Sequence, residues 1–156
     1  MTDKPFPLLT AKAISEMDEV KHVHQFNKNA IRHTRSIGEI LGLVNLGVHL
    51  VRVEPGNDTT QFHFHHQDEE FVYILEGQGT AEIGDERVNV KAGDFMAFTQ
   101  NSLPHCMHNS GTEDLVYLMG GTRSDIDICD YPKLNRRMYR ENGKKTVVDL
   151  SQVDDI

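Results

Sequence analysis

The chain has 156 residues, which is enough for one domain with a buried core. Hydrophobic residues make up 38% and charged residues 26%, a composition typical of a folded chain and not of a disordered one. The net charge of −8 disfavours nucleic acids and anionic membranes as partners. Cys106 and Cys129 are too few for a disulfide framework, and no apolar run suits a membrane span or signal peptide, so we predict a cytoplasmic protein.

Residues 1–36 are predicted to form an N-terminal arm. Pro5 and Pro7 stand near its start, and the short polar stretch that follows favours at most one or two helical turns. His22 and His24 form an H-x-H pair, but no carboxylate follows at a useful distance, and the surrounding pattern does not indicate a strand. We therefore interpret both as surface histidines and not as metal ligands.

Residues 37–125 have the pattern of an all-β domain. Short apolar runs recur with turn residues at intervals of about eight to twelve positions, and no helical period of useful length appears between residues 40 and 120. This pattern predicts a β-barrel or a double-sheet jelly roll. Beside the histidine strand, the predicted strands are 40–53, 70–76, 80–83, 87–90, 95–99, 105–109 and 115–119.

Residues 126–156 are predicted to form a C-terminal β extension packed on the barrel. Between residues 133 and 145 this segment has six basic side chains and one acidic side chain. Such a basic patch could bind an anionic ligand or RNA, but a solvated hairpin at the barrel edge is the favoured interpretation. Residues 146–150 are a further strand candidate.

The stretch from Gly56 to Gly77 carries a candidate metal site. Alternate side chains of a β-strand point to the same face, so His63 and His65 would project side by side. Glu70 returns on the next strand, and His105 can meet these three side chains from another strand of the barrel. Three imidazoles and one carboxylate suit Fe(II), Mn(II), Ni(II), Cu(II) or Zn(II), and leave positions open for water or substrate.

Some neighbours of this site have alternative interpretations. Glu69 is a register alternative to Glu70, which we prefer. If His105 did not reach the metal, His63, His65 and Glu70 would still form a 2-His-1-carboxylate triad. The side chains interpreted as turn, core or outward-facing residues, and not as ligands or nucleophiles, are His49, His66, Asp68, Cys106 and His108.

Three side chains are candidates for contact with a substrate. Arg52 and Arg123 could hold an anionic group bidentately, and Tyr73 could offer a hydroxyl. Surface ion pairs for the arginines and simple packing for the tyrosine are the alternatives. No separate acid or base is evident, so the sequence assigns no catalytic residue.

The histidine stretch resembles the first conserved motif of the cupins, a family of double-stranded β-helix proteins. That motif is G-x5-H-x-H-x3,4-E-x6-G, and this chain has one extra residue between its first glycine and first histidine. The matching residues are Gly56, His63, His65, Glu70 and Gly77.

The second cupin motif, G-x5-P-x-G-x2-H-x3-N, is also matched in part. Gly93, His105 and Asn109 fit it, and the final H-x3-N is intact. Thr99 and Asn101 stand where proline and glycine are usual, and one extra residue precedes the histidine. The chain departs from the family pattern in this loop.

The resemblance implies a cupin barrel that binds a small molecule and a divalent metal, Zn, Mn, Fe or Ni, with no nucleic-acid or membrane partner. The implied metal ligands are His63, His65, Glu70 and His105. It also implies a homodimer, in which the N-terminal arm or a hairpin at 133–150 could add a strand to the partner's sheet.

A narrower likeness concerns the segments LGLVNLGVHLVRVEPG, DEEFVYILEG and GGTRSDID. They resemble a group of small bacterial single-domain cupins, some of which are labelled sugar-phosphate-isomerase-like. We therefore favour a metal-dependent isomerase of the sugar phosphate type. An iron-dependent dioxygenase and a non-catalytic small-molecule binding or sensor module are the alternatives. Isomerisation predicts anion-binding side chains in the pocket, whereas oxygenation predicts a more apolar pocket.

Overall fold

A computed structural model describes residues 5–154 of the chain. This part contains mainly β-strands, so the predicted all-β fold class is confirmed. Two short α-helices are present, α1 (Ala11–Ser15) and α2 (Ile37–Ile40), and neither is long and apolar enough to cross a membrane. Short 3-10 helices cover Pro132–Leu134 and Leu150–Gln152. The strands are β1 (Val20–His24), β2 (Asn27–Arg35), β3 (Leu46–Val53), β4 (Phe64–His65), β5 (Glu70–Glu76), β6 (Gln78–Ile83), β7 (Glu86–Lys91), β8 (Phe95–Phe98), β9 (His105–His108), β10 (Leu115–Thr122), β11 (Ile126–Tyr131), β12 (Arg136–Glu141) and β13 (Lys144–Asp149).

The strands form three antiparallel sheets. The largest has six strands in the order β1-β2-β3-β10-β5-β8. A four-stranded sheet has the order β13-β12-β11-β4, and a three-stranded sheet has the order β7-β6-β9. Antiparallel sheets commonly bury one face and expose the other, which explains the alternation of apolar and polar residues along these strands.

The main core lies between the inner faces of the sheets. In β3, Val51 and Val53 are buried, and Arg52 between them points outward. In β5, Val72 is buried and Tyr73 is exposed. The remaining members of this cluster are Ile74, Ala81, Val90, Met107, Leu115 and Tyr117. Side chains two positions apart on a strand point to the same face. Glu70, the first residue of β5, therefore points inward as Val72 does.

Gly77 ends β5 and turns the chain into β6. Its φ is +80°, and a Cβ at this position would lie 2.3 Å from the carbonyl oxygen of Asp114. Only glycine fits this close backbone approach. The last glycine of the first motif therefore serves the fold.

Asn109 is fully buried just after β9. Its amide donates to the carbonyl oxygens of Val53 and Glu113 at 2.8 and 2.9 Å, and its side-chain oxygen accepts from the Gly111 N–H. These bonds fasten the end of β9 to the neighbouring loop, so the asparagine of the second motif is also structural.

The predicted N-terminal arm supplies β1 and β2 to the edge of the six-stranded sheet. β1 pairs with β2 from Val20–Thr34 to His24–Asn27, and β2 pairs with β3. The expectation that no strand surrounds His22 and His24 is wrong. β1 is an edge strand whose side chains are mostly exposed, so it lacks the apolar alternation by which a strand is recognised in a sequence.

The C-terminal segment joins the same architecture through β11. Cys129 of β11 pairs with His65, so the strand that carries a predicted metal ligand belongs to this sheet. β12 and β13 form a hairpin whose turn residues, Asn142 and Gly143, have φ of 49° and 81°. Positive φ at both positions is the type I′ arrangement that Asn-Gly favours.

Candidate metal centre

His63 and His105 are brought together by backbone pairing. The N–H of His105 donates to the carbonyl oxygen of His63 at 2.8 Å, and the N–H of His63 donates back at 3.2 Å. The two rings lie 4.8 Å apart, and the ring of His65 lies 5.0 Å from that of His63. The ring of His105 also stacks on Phe98, with a centroid distance of 3.4 Å and an interplanar angle of 4°. The three imidazoles therefore converge, as the alternation of strand residues predicts.

Glu70, the first residue of β5, completes this group. One carboxylate oxygen lies 3.3 Å from Nε2 of His105 and 3.4 Å from Nε2 of His63, and the other lies 3.6 Å from Nε2 of His65. The alternative, Glu69, is exposed, and its N–H donates to the Thr122 hydroxyl. The structure thus brings together the four side chains that the sequence selects.

The Nδ1 atom of each of these histidines faces an acceptor. Nδ1 of His63 lies 2.9 Å from the carbonyl oxygen of Gln61, and Nδ1 of His105 lies 3.3 Å from that of Leu103. A carbonyl oxygen has no proton, so each Nδ1 carries the proton and donates it. In the neutral ring the lone pair then lies on Nε2, which is turned towards Glu70.

His65 is held in the same way by Asp127. Its Nδ1 lies 2.6 Å from one carboxylate oxygen of Asp127, and the other oxygen accepts from the N–H groups of Gln67 and Asp68. Outer carboxylates that fix the tautomer and orientation of a histidine are typical of metal sites. Asp127 was not among the predicted site residues. The available signal was an acidic residue between two isoleucines of β11, which indicates a buried and paired carboxylate.

The charges of the group favour a cation. Burial acts to raise the pKa of Glu70, but hydrogen bonds with His105 and His63 outweigh it and hold that pKa well below its usual range. Burial lowers the pKa of His105. Burial also acts to lower the pKa of His65, but the hydrogen bond to Asp127 and nearby carboxylate charges raise it overall. Glu70 is therefore ionised beside three ring nitrogens, and a cation held among these four groups would balance its charge.

A second set of donor atoms overlaps with the first. The thiol of Cys129 and one ring nitrogen from each of His63 and His65 lie within 4.8 Å of one another, as do donors of His63, Glu70 and His105. Burial raises the pKa of Cys129 to about 12, so its thiol is protonated at neutral pH. Three imidazole nitrogens and an ionised carboxylate form the better donor set, and they fit a divalent metal ion.

The four side chains line a cavity of about 340 Å³. Its lining residues that are exposed to solvent lie on β1, on β13 and in the turn after β1, so the cavity opens between these strands. Part of its wall is apolar, with Val72, Met96, Phe98, Met107 and Met119. Five further lining residues form what we call the basic wall: His22, His24, Arg32, Arg140 and Lys145.

The three predicted substrate contacts do not line this cavity, and the prediction is corrected. Arg52 points outward between two inward valines, and it pairs with Glu19 at 2.8 Å. Arg123 lies beyond the end of β10 and pairs with Glu39. Tyr73 has outward parity on β5 and is 41% exposed. The arginines that line the cavity belong instead to the basic wall.

The other histidines near the motif are engaged elsewhere. Nε2 of His66 lies 3.0 Å from Asp130, and Nδ1 of His108 lies 2.8 Å from Asp58. Nδ1 of His49 lies 3.0 Å from the Ser36 hydroxyl, and its ring does not line the cavity. These positions agree with their interpretation as non-ligands.

Asp68 differs from its interpretation as a simple turn residue. It is buried, with 4% of its surface exposed, and one carboxylate oxygen lies 2.5 Å from the guanidinium of Arg140. The other oxygen accepts from the Ser124 N–H at 2.9 Å. Asp68 therefore ties the C-terminal hairpin to the barrel.

Comparison with known proteins agrees with this geometry. A family model described as Cupin domain matches residues 49–121, which include all four residues of the metal centre. The crystal structure of a provisionally named sugar phosphate isomerase from Acidithiobacillus ferrooxidans has a TM-score of 0.93 and 40% identity, and 96% of each chain is covered.

Two curated relatives are more distant. An oxalate-binding protein from Thermotoga maritima is 28% identical over 114 residues, which are 70% of this chain and 84% of that protein. An uncharacterized protein from Methanocaldococcus jannaschii is 32% identical over 80 residues, which are 51% of this chain, and the match spans only 56% of that protein's length. The family match and the likeness over nearly the whole A. ferrooxidans chain lead to one conclusion: this chain belongs to the cupin superfamily.

Proposed function

We propose that the chain is a metal-dependent enzyme that isomerises a small phosphorylated sugar. The observation that carries the proposal is the convergence of three Nε2 atoms on the carboxylate of Glu70 in a cavity of about 340 Å³. Cavities of about 300–1,000 Å³ are typical of small-molecule sites. The 40% identity to the A. ferrooxidans protein, and the name of that protein, support the substrate class.

The ligands in this proposal are His63, His65, Glu70 and His105, and the metal is Zn, Mn, Fe or Ni. When bound, such an ion polarises a carbonyl or hydroxyl oxygen of the small molecule. The chain supplies the geometry: Phe98 stacks on His105, and the acceptors at each Nδ1 fix the three rings. The apolar part of the wall limits the access of water to the reacting group.

The test is an assay of aldose–ketose interconversion with a series of sugar phosphates and protein loaded with each metal in turn. We expect turnover that depends on the metal and is lost in Glu70→Gln. His66→Gln, which alters a histidine outside the cavity, is the matched control and should retain activity. Failure of every sugar phosphate to turn over with metal-loaded protein would contradict the proposal.

A second candidate is a binding or sensor module that holds a small anion without turnover. The name of the T. maritima relative, an oxalate-binding protein, favours it. Saturable binding of oxalate by metal-loaded protein, with no product formed, would support this candidate over the isomerase.

The apolar wall with its methionines Met96, Met107 and Met119 favours the iron-dependent dioxygenase as a third candidate. Oxygen uptake by the Fe(II)-loaded protein in the presence of a small organic substrate would identify this activity. Absence of uptake together with sugar-phosphate turnover would exclude it.

We also propose that the chain forms a homodimer through an outermost strand of a sheet. β1 is the outermost strand of the six-stranded sheet at one end, and β13 is the outermost strand of the four-stranded sheet. Either could pair with a strand of a second copy. Size-exclusion chromatography with light scattering at several concentrations tests this, and a monomer at all of them would contradict it.

A further inference from the structure

The charged side chains that line the cavity are not balanced. Arg32, Arg140 and Lys145 are cationic, and Glu70 is the one carboxylate among the lining residues that the structure describes. Arg140 is neutralised by Asp68 at 2.5 Å, and Glu70 faces the three imidazoles. Arg32 and Lys145 therefore remain as an excess of positive charge on the basic wall.

Arg32 is the most informative member of this wall. It is half-buried on β2, and within residues 5–154 no carboxylate lies within 4.0 Å of its guanidinium. Its guanidinium donates a weak hydrogen bond to the sulfur of Met119 at 3.9 Å and lies near the buried hydroxyl of Tyr117, and neither neighbour is a carboxylate. A guanidinium has five donors in a planar fork that matches the oxygens of a phosphate or carboxylate. A partly buried guanidinium that faces a cavity without a counterion is therefore suited to an anionic ligand.

His24 adds a directed donor beside this charge. Its Nδ1 accepts a hydrogen bond from the Phe26 N–H at 3.2 Å, so in the neutral ring the proton lies on Nε2. No acceptor for Nε2 is present in the described part of the chain, and the ring lines the cavity. Burial, followed by the charge of Arg32, lowers the pKa of His24 to about 4, so at neutral pH the ring is a neutral donor.

The basic wall and the metal centre lie close enough for one small molecule to reach both. The ring of Tyr131 lies 5.7 Å from that of His24 and 6.2 Å from that of His63. A single aromatic side chain therefore separates the wall from the first metal ligand. Lys145 lines the same cavity from β13, and its charge is a smaller cause of the lowered pKa of His24 than burial and the charges of Arg32, His63 and His22.

We propose that Arg32, His24 and Lys145 form an anion-binding subsite, separate from the metal centre, that takes the phosphate or carboxylate group of the small molecule. The inference rests on the proposed function in one respect, since the anionic group belongs to the molecule whose other end reaches the metal. Its three side chains come from β1, β2 and β13, all outside the matched cupin residues 49–121. In this arrangement the terminal segments of the chain determine which small molecule binds.

The test is calorimetric titration of the full-length chain with inorganic phosphate and, separately, with oxalate. We expect wild-type protein to bind at least one of these anions, and Arg32→Gln to lower the affinity about 10–100-fold, the loss typical of a charge-assisted hydrogen bond. Arg123→Gln removes the same charge outside the cavity and should leave binding unchanged. Tighter binding of phosphate would identify a phosphorylated ligand, and tighter binding of oxalate a carboxylate one, with the subsite upheld in both cases if the Arg32 dependence holds.

Two further variants keep the result interpretable. Arg32→Lys keeps the charge but not the planar fork, so it should bind with intermediate affinity and should fold even if Arg32→Gln does not. His63→Ala removes a metal ligand and should retain anion affinity within about twofold if the subsite is separate from the metal. Anion binding that is lost in His63→Ala, or is equally weak in Arg32→Gln and Arg123→Gln, would overturn the inference, as would failure of wild-type protein to bind either anion.

The same set of proteins separates this inference from the proposed function. Arg32-dependent anion binding without any sugar-phosphate turnover would leave the subsite intact and remove the isomerase. Turnover that is unchanged in Arg32→Gln would leave the isomerase intact and remove the subsite.

Discussion

The metal centre and the basic wall face the same cavity but are held in different ways. The four residues of the centre lie at β4, on β5 and on β9, and each imidazole Nδ1 is fixed by an acceptor, as with the Asp127 carboxylate at 2.6 Å from His65. The basic wall comes from the two terminal hairpins, and Arg32 and Lys145 have no carboxylate partner within 4.0 Å among residues 5–154. The centre is preorganised by the protein, whereas part of the wall is left free for a ligand.

This difference separates two tasks along the chain. Residues 49–121, which match the cupin family, contain the whole centre, and the wall lies outside them. A barrel that keeps its centre can therefore accept different small molecules when the terminal hairpins change. Shared folds commonly host different functions through such local changes.

The largest effect is expected when a residue of the centre is removed. His63→Ala should lower metal affinity by more than the roughly 10–100-fold that is typical when only an outer hydrogen-bond partner is lost. His66→Ala changes the histidine just after β4, which pairs with Asp130, and it should keep wild-type metal content. Metal content is measured by mass spectrometry on untagged protein that has been reconstituted with each metal. Equal metal content in His63→Ala and wild type would contradict the site.

Cobalt-loaded protein adds a spectroscopic check of the donor set. With the N/O ligands of the centre, the spectrum should lack the strong near-ultraviolet thiolate-to-cobalt band. Such a band, if it disappears in Cys129→Ser, would place the thiol of Cys129 among the ligands and would require a different donor set.

The second prediction concerns the anchored arginine of the basic wall. Arg140→Met leaves the buried carboxylate of Asp68 without its guanidinium partner, so the free energy of unfolding should fall by about 3 kcal/mol. Arg123→Met breaks the more exposed pair with Glu39 and should cost about 0–1 kcal/mol. Urea unfolding of metal-free protein, followed by circular dichroism because the chain has no tryptophan, measures both. Equal losses would show that Arg140 is not an anchor.

The third prediction tests how the centre is held. In Asp127→Asn one oxygen can still accept from backbone N–H groups, but the amide NH₂ then faces the Nδ1–H of His65. His65 must change its tautomer or move, so metal affinity should fall about 10–100-fold while the fold is retained. Competition with a chelator of known affinity measures the loss. Wild-type affinity in Asp127→Asn would show that the outer carboxylate does not position the ligand.

The sequence was sufficient to select the four side chains that converge in the candidate centre, because the motifs that carry them are short. His63 and His65 share a face by strand alternation, and motif spacing adds Glu70 and His105. Asp127 could not be found in this way, since its partner His65 is 62 residues away and their meeting depends on the pairing of β4 with β11. Long-range strand pairing is not encoded in any one stretch of the sequence.

The error over the arginines has a different physical cause. Arg52 stands between Val51 and Val53, so strict alternation along β3 places it on the outer face. Arg32 shares its parity on β2 with the buried Ala30, but the exposed edge strand β1 hid the sheet to which both belong. The order of the strands in the sheet determines which arginine faces the cavity.

The smallest expected effect is a pH dependence that originates in the basic wall. Burial and the charge of Arg32 lower the pKa of His24 to about 4 from an ordinary value of 6.5. Between these values the unfolded chain binds a proton that the folded chain does not, so this residue's contribution to the stability decreases as the pH falls from 6.5 to 4. For a partly exposed ring the loss should be about 1–2 kcal/mol. His24→Gln removes it, so the stability of metal-free His24→Gln should decline less steeply than that of metal-free wild type when urea unfolding is measured across this range. Parallel pH profiles for the two proteins would show that the His24 ring is solvated, and would weaken its assignment as a neutral donor on the wall.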